Sequence, residues 1–220
     1  MSVAFHYQQI CKKISKITSE PIKVIGVSKF QPLEKLEEAY QGGLLCLGEN
    51  RVQEGAKKKP LVVAEVEWHL IGHLQKNKVR QAVQVFDWIH SVDSLQLGRL
   101  IDQEAQKQNK RPTVLLQVNI AEEPQKYGVS LEEATSCALE LAQLSQIQFS
   151  GLMVMAPFTE NVEETRPVFR EGYRLFKEMQ SEIGSSFRYL SMGMTNDYLV
   201  AIEEGANVVR IGRALFSEEK

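Results

Sequence analysis

Eight short runs of β-branched and apolar residues recur along the chain, and a stretch of helical spacing separates each from the next. This alternation constrains the fold more than any other feature, because parallel strands need long crossover connections and an α-helix is the usual one. The predicted strands are Ile22 to Ser28, Leu44 to Gly48, Glu67 to Gly72, Trp88 to Val92, Thr113 to Asn119, Gln148 to Met153, Phe187 to Ser191 and Asn207 to Gly212. Between them, Leu33 to Gln41, Arg51 to Lys59, Lys76 to Gln84, Ser94 to Gln108, Ser130 to Leu144, Val162 to Ile183 and Asn196 to Glu204 have the length and apolar spacing of helices. Several strands are apolar throughout, as expected where both faces of a parallel strand are covered.

An amphipathic segment, Met1 to Glu20, precedes the first strand and carries Phe5, Ile10, Ile14 and Ile17; a helix through Ile17 is expected to cover the barrel bottom or to mediate contacts. Eight strands, seven intervening helices and a leading helix predict an α/β fold, a single (β/α)8 TIM-type barrel with an extra N-terminal helix; 220 residues is near the lower end for that fold. An open doubly wound sheet is the rival. No Pro/Gly/Ser-rich linker divides the chain, so residues 1–220 are expected to form one domain.

Composition narrows the function classes. The net charge is -2, with basic and acidic residues interleaved, which argues against a nucleic-acid or membrane partner. No run approaches the roughly 20 apolar residues of a membrane span. Cys11, Cys46 and Cys137 are odd in number and widely spaced, so neither a disulfide framework nor a zinc knuckle is indicated, and a cytoplasmic setting is expected.

In such a barrel the chemistry gathers just past the carboxyl ends of the strands. The residues there are Lys29, Glu49, Asn50, Gly72, His73, Ser91, Asp93, Asn119, Met153, Met155, Ser191, Gly193, Thr195, Gly212 and Arg213. Ser191 to Thr195 leaves the seventh strand toward a helix start, and Gly212-Arg213 leaves the eighth. Together they offer hydroxyls and backbone N–H groups to an anion, and phosphate is the anion most often held at these two turns. Either motif alone is accounted for by an N-cap at Thr195 or a tight turn at Gly193.

Lys29 ends the first strand. A lysine there is ordinarily a solvated loop residue, but at a barrel mouth its ammonium is expected to be partly desolvated, which frees the amine for Schiff-base formation. Arg210, a permanent cation, suits a hydrogen bond to a pyridine nitrogen that stays unprotonated.

At this point the motifs match a family. Val24-Ile-Gly-Val-Ser-Lys29, Gly48-Glu-Asn-Arg-Val-Gln-Glu54, Trp68-His-Leu-Ile-Gly-His-Leu-Gln-Lys-Asn-Lys78, His90-Ser-Val-Asp93, Val118-Asn-Ile120 with Glu123, Lys126 and Gly128, Gly151-Leu-Met-Val-Met-Ala-Pro157, Leu190-Ser-Met-Gly-Met-Thr-Asn-Asp197 and Val209-Arg-Ile-Gly212 occur in the family's order. The chain, from about Val24 to Phe216, resembles the pyridoxal phosphate homeostasis protein family, also called the alanine racemase N-terminal-like family. The resemblance implies a barrel that holds pyridoxal 5'-phosphate (PLP) as a Schiff base on Lys29. It further implies a phosphate cradle of Ser191, Met194, Thr195, Gly212 and Arg213, with Arg210 at the pyridine nitrogen and Asn50 and His73 on the ring side.

The implied role is PLP homeostasis, with PLP and related B6 vitamers as ligands, buffering and delivery to apo-enzymes, and no substantial turnover. A PLP-dependent racemase of low activity is the alternative. Racemisation by two bases needs a second acid/base opposite the lysine, and Tyr127, Tyr173, Tyr189 and Tyr198 are the candidates. In alanine racemase that tyrosine comes through an added β domain and a partner subunit, so a monomer is expected here.

The chain departs from the family in places. Gln31 stands where many members have a second lysine, Thr195 replaces the commoner serine, and Ser217 stands where a glycine usually follows Phe216, which puts the closure of the last turn in question. His69 and His73 flank a strand end and share no helical face, so no metal site is expected there. Trp68 and Trp88 read as core aromatics, and Met153, Met155, Met192 and Met194 as packing on a cofactor ring or filling the barrel top. Lys57-Lys58-Lys59 reads as a solvated helix end.

Overall fold

A computed structural model describes residues 2–62, 65–123 and 125–217. The strands are β1 (Lys23–Val27), β2 (Cys46–Glu49), β3 (Glu67–Leu70), β4 (Trp88–Val92), β5 (Thr113–Val118), β6 (Gln148–Val154), β7 (Tyr189–Met194) and β8 (Val208–Ile211). All are parallel to their neighbours, and β8 pairs back onto β1, so the sheet is a closed barrel and not an open one. The helices are α1 (Val3–Ile14), α2 (Leu33–Gln41), α3 (Val52–Lys58), α4 (Val79–Val85), α5 (Leu95–Gln108), α6 (Leu131–Leu141), α7 (Arg166–Ile183), α8 (Tyr198–Glu203) and α9 (Arg213–Phe216). None of the described helices is long and apolar enough to cross a membrane.

Local sequence accounts for several boundaries. The Ser2, Ser94 and Ser130 hydroxyls each accept from the backbone N–H three residues on, which caps α1, α5 and α6. Asn109 ends α5 in the left-handed region, at φ 51°. The stretch expected as one helix from Val162 begins instead with a 3-10 turn, Val162–Thr165. Pro167 explains this, because a proline fits an α-helix only in its first turn, and that turn therefore starts at Arg166. The expected helix from Lys76 likewise opens with a 3-10 turn, Lys76–Lys78. The last expected helix starts two residues late, because Asp197 Oδ1 accepts the Met194 N–H at 2.6 Å and closes a turn there.

The leading helix stops at Ile14, short of Ile17, and lies on the outside of the barrel against α2, α8 and α9. It occupies the place that α9, one turn long, leaves empty in the ring of helices. The His6 ring Nδ1 lies 3.1 Å from the Leu215 carbonyl oxygen and ties the two together. Ser217 closes the final turn by donating its N–H to the Arg213 carbonyl at 2.9 Å, so the serine at this position is accommodated.

Strand alternation divides the core into two. Outward residues such as Leu47, Trp68, Ile89, Val114 and Leu152 pack under the helices, whereas Ile25, Cys46, Trp88, Leu115, Met153 and Val208 pack inside the barrel. Both tryptophans are therefore core residues. β6 and β7 approach so closely that a Cβ on Gly151 would fall 1.8 Å from the Tyr189 carbonyl oxygen. Gly151→Ala is expected to cost about 1–3 kcal/mol of unfolding free energy in urea, the usual range for overpacking.

Candidate functional site

Lys29 stands in a tight turn that leaves β1, closed by the Gln31 N–H donating to the Ser28 carbonyl at 3.0 Å. Phe30, the third residue of that turn, has φ 62° and points its ring into solvent. The turn carries Lys29 to the rim, where it is exposed. The cavity walls alone thus do not supply the partial desolvation expected from the sequence.

The turn is anchored from below. Glu49, at the end of β2, is fully buried; its Oε1 accepts from the Ser28 hydroxyl at 2.8 Å and from the Lys58 ammonium at 2.6 Å. Lys58 also donates to the Ser28 carbonyl at 2.6 Å, so one lysine pins both the carboxylate and the turn. Lys57 is solvated, as the reading of Lys57 to Lys59 as a helix end expects, but Lys58 and Lys59 depart from it. Lys58 reaches inward, and Lys59 donates to the Val85 carbonyl at 2.6 Å.

Lys29, Met194, Thr195, Arg210, Gly212 and Arg213 line one cavity of about 390 Å³ at the carboxyl ends of the strands. Its far wall is formed by Met155 to Thr159 of the loop after β6, and Lys126 reaches it from the loop after β5. Of the four methionines, Met155 and Met194 line this cavity, while Met153 and Met192 are buried in packing. The turns after β7 and β8 are held together by the Gly212 N–H donating to the Thr195 hydroxyl at 3.2 Å.

Arg210 lies on the cavity floor, 4% exposed. It donates to the Ser191 hydroxyl at 2.6 Å, to the Ser191 carbonyl at 2.9 Å and to the Val154 carbonyl at 3.0 Å. A guanidinium has five N–H donors, so donors remain for a ligand. Burial pushes its pKa down to about 10, partly opposed by the nearby Asp197 carboxylate, and the group stays charged at neutral pH.

Ser191 is fully buried beneath Arg210 and orients it, and it does not line the cavity itself. Ser191→Ala removes one acceptor from a buried cation and strands the His90 Nδ1, which lies 3.1 Å from the Ser191 oxygen. A loss of about 1–3 kcal/mol in thermal or urea unfolding is expected. Asn50 and His73 line a neighbouring cavity of about 620 Å³ with residues of α3. There the His73 Nδ1 is 3.1 Å from an Asp93 carboxylate oxygen, and the ring stacks on Tyr127 at 3.7 Å. Lys126 lines the first cavity and its neighbour Tyr127 stacks on His73 of the second.

Lys126, the loop from Ala156 to Thr159, and Asp197 are site residues that the sequence leaves without a role at the site. Their motifs were visible, but nothing in a linear pattern says which loop folds over a strand end.

His69 and His73 face different surroundings. His69 points into the barrel interior, with its Nδ1 3.0 Å from the His90 Nε2, and His90 in turn reaches Ser191. A polar line, Glu67, His69, His90, Ser191 and Arg210, thus runs through the barrel. Burial lowers the pKa of both imidazoles, that of His90 well below the ordinary value.

The family profile of the alanine racemase N-terminal domain matches residues 8–220. The pyridoxal phosphate homeostasis protein of Aquifex aeolicus is 43% identical over 90% of this chain and 87% of its own length. That of Escherichia coli is 34% identical, over 97% and 95%. PipY of Synechococcus elongatus, solved with PLP bound, superposes with a TM-score of 0.86 at 36% identity, covering 98% of this chain and all of that one. Alanine racemase of Clostridium difficile, at 17% identity and TM-score 0.75, shares the fold over 56% of its length. The barrel, the ordered motifs and these relatives together show that the chain belongs to the pyridoxal phosphate homeostasis proteins, within the alanine racemase N-terminal domain family.

Proposed function

We propose that this protein binds PLP in the cavity beneath Lys29, holds it as a Schiff base on that lysine, and serves PLP homeostasis by buffering it and delivering it to apo-enzymes. The observation that carries the reading is the convergence of a primary amine, a buried guanidinium with spare donors, a hydroxyl and a second guanidinium around one small cavity. The cavity size suits a compact cofactor, and the donor set suits an aldehyde at one end and an anion at the other.

When bound, PLP supplies an aldehyde that a primary amine condenses with, and a ring that draws electron density from it. Lys29 supplies the amine. Thr195, Gly212 and Arg213 would hold the anionic end, and Met194 and Met155 would pack on the ring. Arg210 would donate to the ring nitrogen without giving up its proton, which would weaken the electron sink that racemisation needs. Among the described residues no tyrosine lines the cavity: Tyr127 stacks on His73, Tyr189 faces the opposite end of the barrel, Tyr198 is buried and Tyr173 lies on α7. This supports binding without substantial turnover over a racemase role. A cytoplasmic, monomeric protein with other B6 vitamers as further ligands completes the proposal.

The test has two readouts. PLP added to the protein is expected to give a saturable visible absorption and to pass to an apo-enzyme on mixing. Alanine incubated with the loaded protein in deuterated water is expected to keep its α-proton. Exchange at rates typical of dedicated racemases would replace the carrier reading with the enzymatic one.

A further inference from the structure

The opposite end of the barrel opens into a larger cavity, about 1240 Å³, where Lys23, Cys46, Glu67, Trp68 and Tyr189 line the wall. Cys46 on β2 pairs in register with Glu67 on β3. His69 lies two residues further along β3 and so on the same face. Cys46 Sγ is 3.3 Å from Glu67 Oε2, and His69 Nε2 is 3.6 Å from the same oxygen. Sulfur, oxygen and nitrogen all lie within 4.8 Å of one another. Metal bonds of about 2.0–2.3 Å at tetrahedral angles place ligand atoms roughly 3.3–3.8 Å apart, so two edges of a tetrahedron are already formed.

The histidine gives a second, independent indication. His69 is fully buried, and its Nε2, on the side facing Cys46 and Glu67, has no partner within hydrogen-bond distance, the Glu67 oxygen standing off at 3.6 Å. Its other nitrogen is held at 3.0 Å by His90 Nε2, the outer-shell contact that fixes a ligating imidazole in one tautomer. Glu67 is held from its far side by the Trp88 indole N–H, 3.4 Å from Oε1.

We propose that Cys46, Glu67 and His69 form a site for a borderline-soft divalent cation of the zinc type, with a fourth position open to the cavity. Sulfur and imidazole donors favour such a cation over magnesium or calcium. Loading forms one bond each from sulfur, oxygen and nitrogen to the metal and releases the Cys46 thiol proton to solvent, leaving a neutral metal, thiolate and carboxylate set. In the metal-free protein the place of the cation is taken by Lys23, whose ammonium pairs with Glu67 and lies 3.8 Å from Cys46 Sγ. Lys23 is 24% exposed along its side chain, and loading turns it outward into the cavity.

Cobalt(II) added to PLP-free protein is the probe. The wild type is expected to develop the visible bands of tetrahedral cobalt and a thiolate-to-cobalt band in the near ultraviolet, saturating at one metal per chain and abolished by zinc. Cys46→Ser is expected to lose the thiolate band and bind at least about tenfold more weakly, while a Cys11→Ser/Cys137→Ser protein keeps it. Lys23→Met, which removes no ligand, is expected to bind at least about tenfold more tightly. Circular dichroism melts confirm that each variant is folded. The proposal is overturned if neither the wild type nor Lys23→Met gives a saturable band, or if the thiolate band survives in folded Cys46→Ser.

Discussion

Lys29→Ala protein, mixed with PLP, reduced with borohydride and digested, is expected to carry no pyridoxyl group, whereas the wild type carries one on the peptide containing Lys29. The variant is expected to stay folded. Lys29 is exposed and, among the described residues, has no hydrogen-bond or ion-pair partner, so its removal falls within the roughly ±0.5 kcal/mol of an ordinary surface change. Arg210 and the Thr195, Gly212 and Arg213 end remain, so the variant still takes up PLP in a form that washes out on gel filtration. Lys126 is the second amine on the cavity wall, but it is engaged by Glu123 at 2.7 Å. A label that moves to the Lys126 peptide, or persists undiminished, would contradict the assignment to Lys29.

Lys58→Met is expected to be the most destabilising single change at the site, at about 3–5 kcal/mol in chemical unfolding, because it strands a carboxylate in the interior. The side chain of Glu49 is 1% exposed and that of Lys58 13%, so water replaces little of what is lost. The other Glu49 oxygen already lacks a partner, and the Ser28 carbonyl loses its lysine donor as well. Weaker PLP retention is expected to accompany the loss, since the Ser28 turn carries Lys29. Lys58→Met combined with Glu49→Gln removes the buried charge along with its partner and is expected to recover most of the stability. A double variant no more stable than Lys58→Met alone would locate the effect in packing and not in the charge pair.

The eight strands were legible because each buries both faces and so writes its apolar run directly into the chain. The gathering of Lys29, Arg210, Thr195 and Gly212 was legible too, because closing the sheet places the ends of β1, β7 and β8 side by side. What escaped was set by reach and register. Lys58 looks like any other lysine at a helix end, and only the position of α3 over β2 sends its ammonium to Glu49. Asn50 and His73 follow their strands as expected, yet they line a neighbouring cavity with residues of α3, where Tyr127 stacks on His73. Cys46, Glu67 and His69 are a cluster only because β2 and β3 pair Cys46 with Glu67, and register between strands is not readable from one sequence.

The placement of α1 bears on the order in which the molecule assembles. The helix that completes the outer ring precedes β1 in the chain; it buries Val3, Ile10 and Ile14 and packs against α2, α8 and the distant α9, with His6 and Leu215 in contact across a separation of 209 positions. During synthesis that apolar stripe is made before β1, and although α2 follows soon after, its contacts with α9 wait until β8 has been made. Ring closure is then a late event that depends on the most distant contacts in the sequence, which slows folding and leaves a sticky surface uncovered on the ribosome.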